Sequence, residues 1–207
     1  MKKPTRLKFD DYERKYEWLS ILLRAYYRND LGTYDEMHKF HKKNKRKIAC
    51  TQGCYNCCLN PIVPITQIEL MGISWYVSEI INDYAMRTIL KQQMQDHEDK
   101  LSCPFLINHE CSIYPIRPIA CREYHVIGNP CAKGENVVEA RPGDIWSPSR
   151  KVARKTAMEL LRFYGFKTEK ERLDAYEDGF IHRNAKDMHT IEWGEMVKTM
   201  NLFDKLI

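Results

Sequence analysis

The 207 residues are 43% hydrophobic and 11% aromatic. That is enough to bury a core, and it excludes a disordered tail or a small secreted scaffold that folds only through disulfides. Lys and Arg (33) exceed Asp and Glu (28), a formal charge of +5 whose excess gathers in His41-Lys42-Lys43-Asn44-Lys45-Arg46-Lys47.

No aromatic interleaving or nucleic-acid motif accompanies this basic run, so it reads as a solvated helix face and nucleic acid is not expected as a partner. Cations just before Cys50 would also lower thiol pKa values and balance thiolate charge. The N-terminus runs from Met1-Lys2-Lys3-Pro4 into Phe9-Asp10-Asp11-Tyr12-Glu13, with charges where an export signal needs an apolar stretch. No segment approaches the roughly 18 apolar residues of a membrane-spanning helix. The expectation is a cytoplasmic protein with no membrane partner, and in that reducing compartment clustered cysteines read as metal ligands or redox groups.

Along the chain, Phe9, Tyr12, Tyr16, Leu19, Leu23 and Tyr26 recur at helical spacing, which predicts a first helix ending at Asn29 to Gly32. Thr33-Tyr34-Asp35-Glu36 has the form of a capping box, predicting a second helix that carries the basic run. Thr66-Gln67-Ile68-Glu69 is another box. The helix it opens would bury Leu70, Ile73, Val77, Ile80, Ile81 and Tyr84, with a break at Asn82-Asp83 and a further helical stretch to about Lys100.

Between Ser102 and Pro148, five prolines and three glycines predict a loop-rich segment that something must anchor. Helical patterning resumes at Ser149, with Val152, Ala153, Ala157, Leu160, Leu161 and Tyr164 on one face and Gly165 as the stop. Thr168 to Glu171 caps a further helix, and Trp193, Met196, Val197 and Met200 mark a last one. No convincing series of strands or internal repeat is visible. The fold class is therefore mainly α, with helices at 1–49 and 132–207 flanking a cysteine-rich region at 50–131 in one compact domain.

The cysteines form two groups. In Cys50-Thr51-Gln52-Gly53-Cys54-Tyr55-Asn56-Cys57-Cys58, a helix would align the thiols on one stripe, while a loop would make Cys54-x-x-Cys57 a chelating turn. Consecutive Cys57 and Cys58 diverge, which suits different irons of a cluster better than one ion. Cys103, Cys111, Cys121 and Cys131 are spaced so as to close loops, and metal bonds among them would couple site formation to folding. All eight are candidate metal ligands. A disulfide framework conflicts with a reducing compartment, and unrelated buried cysteines do not account for four thiols within nine residues. A structural zinc site explains the thiolates as well as iron does and would make the chain an interaction module. His109 and His125 stay outside the primary ligand set.

Cys50 to Cys58, Glu69, Cys103-Pro104-Phe105-Leu106, Cys111-Ser112-Ile113-Tyr114, Arg117-Pro118 and Cys121-Arg122 together resemble the YkgJ-type CxxCxxCC cysteine-cluster family, described as zinc- or iron-chelating. The resemblance covers about residues 50 to 131. It implies a metal ion or cluster, with iron or an iron–sulfur cluster preferred and zinc as the alternative. A related cysteine pattern in the flagellin lysine-N-methylases implies, for one branch, a 4Fe–4S centre, S-adenosylmethionine and a protein substrate, but this chain is shorter than such an enzyme. Cys121-Arg122-Glu123-Tyr124-His125 departs from the aromatic–proline ending usual after the family's Cys-Arg pair.

Under the resemblance Arg117, Arg122 and Glu69 are candidate cofactor-binding residues: the arginines would donate to a carboxylate, cluster sulfur or substrate anion, and Glu69 would orient a ligand or cap its helix. No catalytic residue is assigned. Cys50-x3-Cys54-x2-Cys57 has the spacing of radical S-adenosylmethionine enzymes, but those resemble a partial barrel of strands and helices, which this chain does not supply.

Overall fold

The computed structural model describes residues 2–51, 53–59, 61–97 and 101–204. It is mainly α-helical. A short helix α1 (Asp10–Lys15) ends where Tyr16 turns extended, and α2 (Glu17–Asn44) follows as the spine of the molecule. Leu19, Leu22, Leu23, Tyr26, Asn29, Thr33 and Met37 form its buried stripe.

The predicted stop at Asn29 to Gly32 does not occur, because the residues that look like a helix end are packing contacts. Asn29 is buried and donates to Glu123, while a Cβ on Gly32 would lie 2.7 Å from Val152 Cγ1. The predicted box at Thr33 to Glu36 is likewise mid-helix. Glu36 instead accepts from the Ser149 amide (2.7 Å) and hydroxyl (2.6 Å), capping a distant helix. The spine ends only at Lys45, in a left-handed conformation, so the basic run begins on its last turn and leaves it.

After β1 (Pro64–Ile65), α3 (Gln67–Trp75) starts at the predicted box. A π-helical turn at Tyr76–Ile80 then leads out of the helix at Ile81, and Asp83 caps α4 (Tyr84–Gln95) through the Met86 amide. The expected buried stripe therefore stops short. Val77 is inaccessible to solvent, whereas Tyr84 opens a new helix and is 78% exposed. The helix ends at Gln95, and the end expected near Lys100 falls outside the described residues.

The loop-rich segment contains only short elements: β2 (Leu106–Ile107) paired with β3 (Glu110–Cys111), α5 (Ile119–Glu123), β4 (His125–Val126), α6 (Val137–Ala140) and β5 (Ile145–Trp146), which pairs with β4. Two-residue pairings of this kind carry no periodicity to read. Helix α7 (Arg150–Leu160) packs along α2, and its buried Glu159 meets Arg28 at 2.8 Å and Arg24 at 3.7 Å. Gly165 adopts positive φ where the chain turns away. Then come α8 (Glu169–Glu177) behind its Thr168–Glu171 box, α9 (Phe180–Arg183), β6 (Lys186–Asp187) on β1, and α10 (Trp193–Asp204) against α4. One apolar core runs from Leu19 through Phe105 and Ile116 to Met200.

Candidate metal centre

The first cysteine group is a loop. Cys50 is held beside β4: Ala49 N–H donates to Val126 O (2.7 Å), Gly128 N–H to Lys47 O (2.9 Å), and Val126 N–H to Cys50 Sγ at 3.3 Å. Gly53 at positive φ turns the chain, placing the Cys54 amide 3.0 Å from Thr51 O, and Asn56–Cys58 close a 3-10 turn.

The second group reaches this loop by three routes. Cys103 N–H donates to Cys58 O at 2.7 Å. The β2–β3 hairpin turns through Asn108 and His109, both at positive φ as a two-residue hairpin turn requires, and brings Cys111 opposite Leu106. His109 stacks on Tyr55, ring centroids 4.4 Å apart, so the hairpin tip rests on the chelating loop itself. Gln93 on α4 donates to Pro104 O (2.8 Å) and Leu106 O (2.9 Å), holding the hairpin stem.

Cys121 rides on α5, which two buried charges seat. Glu69 accepts from Thr66 N–H (2.8 Å), the Thr66 hydroxyl (2.6 Å) and Ile119 N–H (2.8 Å), so one carboxylate caps α3 and fixes the start of α5. Burial raises its pKa against the pull of those donors. Arg122, 5% exposed, donates to Arg117 O and to Asp30 on α2 (2.7 Å). Arg117 itself lies 3.9 Å over the ring of exposed Tyr114. Cys131 sits on an arm tied down by Asn56, which donates to Ala132 O and accepts from Gly134 N–H at 3.1 Å, and by Arg141, which donates to Asn129 O and Pro130 O.

All eight cysteines are free thiols. Those of Cys57, Cys58 and Cys103 crowd one another closely enough to shift each other's protonation. The neighbouring Cys103 thiol, together with burial, pushes Cys58 up to about 12, with Cys57 opposing. The neighbouring Cys58 thiol and burial also raise Cys57, although Cys57 is solvent-exposed. Burial raises Cys121, reinforced by Cys57, Cys58 and Cys111, and burial raises Cys111, while Arg117 and Arg122 pull Cys111 down. Burial raises Cys50 and Cys131, reinforced by Cys54 and Cys57 at Cys50 and by Cys54 and Cys50 at Cys131, while the Val126 amide pulls Cys50 down. Thiols crowded in this way stay protonated until a cation displaces the protons, which is how a thiolate metal site loads. Among the described residues no three His, Cys, Asp or Glu side chains already converge as a metal would draw them, so loading requires the thiols to turn inward.

The candidates thus separate by position. Glu69 and Arg122 support the backbone that carries Cys121, and Arg117 places its charge among the thiols of Cys57, Cys111 and Cys121. Sequence reasoning missed Asn56, Asp30 and the Tyr55–His109 stack. The first lies between two cysteines and could have been suspected as a turn residue; the others depend on pairs distant in sequence.

Residues 49–142 match the model of the CxxCxxCC family, described as a putative zinc- or iron-chelating domain. The span takes in all eight cysteines and extends the resemblance drawn from the motifs chiefly at its C-terminal end, from residue 131 to residue 142. No curated protein and no solved structure matches the chain.

Proposed function

Starting from a CxxCxxCC domain over residues 49–142, we propose that this protein holds an iron–sulfur cluster on thiolates drawn from both cysteine groups. The observation that carries the reading is the Cys103 N–H bond to Cys58 O, which joins the two groups through the backbone where the Cys57, Cys58 and Cys103 thiols crowd one another. Consecutive thiols at Cys57 and Cys58 suit a polynuclear centre, whose irons can take neighbouring donors. Arg117 offsets the negative charge of the assembled thiolates, and Glu69 and Arg122 act as positioning residues through α5.

Zinc is the alternative metal, since four thiolates in tetrahedral array suit it equally. Two surface depressions are lined by Thr88, Ile89, Gln92, Gln93 and Asp96 on α4 and by Tyr34, Met37, His38, His41 and Lys42 on α2, and neither of these is lined by a cysteine. Metal binding is accordingly proposed without an assigned reaction, and S-adenosylmethionine rests on the resemblance alone. Anaerobic isolation followed by metal and acid-labile sulfide analysis tests the reading. Iron, sulfide and visible charge-transfer absorption are expected, and stoichiometric zinc without either, under conditions that support cluster assembly, overturns the cluster.

A further inference from the structure

Away from the cysteines, one carboxylate gathers three arginines. Glu159 is 6% exposed, and its oxygens lie 2.8 Å from Arg28 Nε, 3.7 Å from Arg24 Nε and 3.7 Å from Arg162 Nε. The arrangement follows from spacing. Arg24 and Arg28 stand one turn apart on α2, Glu159 is in the last turn of α7, and Arg162 follows it just past the helix end, its amide donating to Glu159 O at 3.2 Å. Because α7 packs along α2, all three guanidiniums meet at one place. Three cations against one carboxylate leave two positive charges unbalanced, and among the described residues no other acidic side chain pairs with these arginines. Each arginine meets Glu159 through Nε, so the forked terminal nitrogens are left over, on side chains that are 41% (Arg24), 53% (Arg28) and 47% (Arg162) exposed. Inside the cluster the pairing is not closed either: Arg24 Nε and Glu159 Oε2 are both buried and neither makes a hydrogen bond. Buried polar atoms are normally satisfied, so this pair points to a polar partner beyond the cluster itself.

We propose that Arg24, Arg28 and Arg162 form a binding site for a phosphate dianion, free or as the terminal group of a small phosphomonoester. The surplus charge matches a group that carries close to two negative charges near neutral pH, more than a carboxylate or a phosphodiester supplies. Guanidiniums offer paired N–H donors that fit phosphate oxygens bidentately, and three of them set around one point surround a single tetrahedral group rather than track a polymer backbone. Glu159 is a positioning residue. By holding the Nε side of each fork it fixes the arginines before a ligand arrives, so less side-chain freedom is lost on binding. A bound dianion also relieves the mutual repulsion of three guanidiniums that one carboxylate only partly offsets. The site is independent of the metal-binding reading above and shares no residue with it.

The test titrates inorganic phosphate, and separately adenosine monophosphate, into the isotope-labelled full chain at physiological ionic strength, following the arginine Nε–H groups by proton–nitrogen spectroscopy. Saturable shifts are expected at Arg24, Arg28 and Arg162, with one ligand per chain, and neither chloride at matched ionic strength nor adenosine should reproduce them. Tighter binding of the monophosphate assigns the ester as the source, and equal binding assigns the free ion. The Arg28→Gln/Arg162→Gln variant, altered at two exposed positions, should bind at least about tenfold more weakly. Arg28→Lys/Arg162→Lys keeps the charge but removes the fork and should also lose affinity. Lys42→Gln/Lys43→Gln makes the same charge change at exposed positions in the basic run and should bind as wild type does. The spectra of the wild-type chain decide the matter even where a substitution unfolds the protein. Absence of saturable shifts at the three arginines overturns the site and leaves the cluster a staple between α2 and α7. Equal weakening in the Lys42/Lys43 control, or binding of a phosphodiester oligonucleotide without terminal phosphates as tightly as the monoester, overturns it in favour of general attraction to a basic surface.

Discussion

The guanidinium of Arg122 lies 4.1 Å over the ring of Tyr26, and the Tyr26 hydroxyl donates to Ile116 O at 3.1 Å, so one α2 side chain touches both ends of the stretch that carries Arg117 and Cys121. Arg122 adds its bonds to Arg117 O and Asp30. Arg122→Ala removes these together and leaves Asp30 partly buried without its partner. Loss of one member of a buried pair costs about 3 kcal/mol or more, less here because Asp30 keeps some contact with water. Urea denaturation should show a lower midpoint. Arg122→Lys should recover only part of it, since an ammonium cannot reproduce the fork or the stacking.

Glu69→Ala leaves the Thr66 and Ile119 amides without their acceptor. An unsatisfied buried donor costs about 1–3 kcal/mol. Hydrogen exchange should accelerate at Ile119 and along α5 more than on the distant α8, and metal retention should fall with it. Equal exchange in mutant and wild type at Ile119 would show that the carboxylate does not seat this helix.

Gly32→Ala places a Cβ 2.7 Å from a Val152 methyl, and valine is stiff and buried there. Overpacking of this kind costs about 1–3 kcal/mol, against a gain of about 1 kcal/mol from replacing a helical glycine. A lower thermal midpoint is expected. Gly143→Ala, where a Cβ meets nothing within 4 Å, serves as the control and should be near neutral.

Glu13 has a pKa below its ordinary value: burial pushes it up, but bonds from Arg6 and from the Phe9 amide more than offset that. The unfolded chain therefore binds the proton more readily. The stabilisation is present above the ordinary carboxylate range and is lost as pH falls through the lowered value. Phe9 and Tyr12 pack edge-on against Trp75, so amide exchange over residues 9–15 should rise on acidification to about pH 3 before the core opens. Arg6→Ala should move that rise to higher pH.

Removal of metal by a thiol-competitive chelator should expose residues 102 to 148 to limited proteolysis, with α2 and α7 still intact. Those helices are held by Glu159, Val152 and the apolar stripe rather than by the cysteines. Cleavage spread evenly over the chain would mean that the metal region and the helical spine unfold as one unit.

Three similar four-residue patterns show what was legible in the sequence. Thr66 to Glu69 and Thr168 to Glu171 start helices, as their form predicts, whereas Thr33 to Glu36 lies inside one. Nothing local distinguishes the third: its Glu36 is used by Ser149, and its Thr33 is buried against the rest of the fold. The same holds for the site. The spacing of the first four thiols and the Cys-Arg pair were readable along the chain. The division of labour around them was not, because Asp30 answers Arg122, Asn56 answers Ala132 and Tyr55 answers His109 only once distant segments meet.

The two-residue turn at Asn108 and His109 also bears on the order in which the thiols find one another. Cys103 and Cys111 meet by closing a chain of about 8 residues, whereas Cys58 must close about 45 to reach Cys103, an entropic difference of about 1.5 kcal/mol. The hairpin can form early and alone, on the microsecond scale of such elements. A nascent chain would then present a two-thiol pincer before its other ligands are in place, so that the first cation captured nucleates the folding of the segment around it.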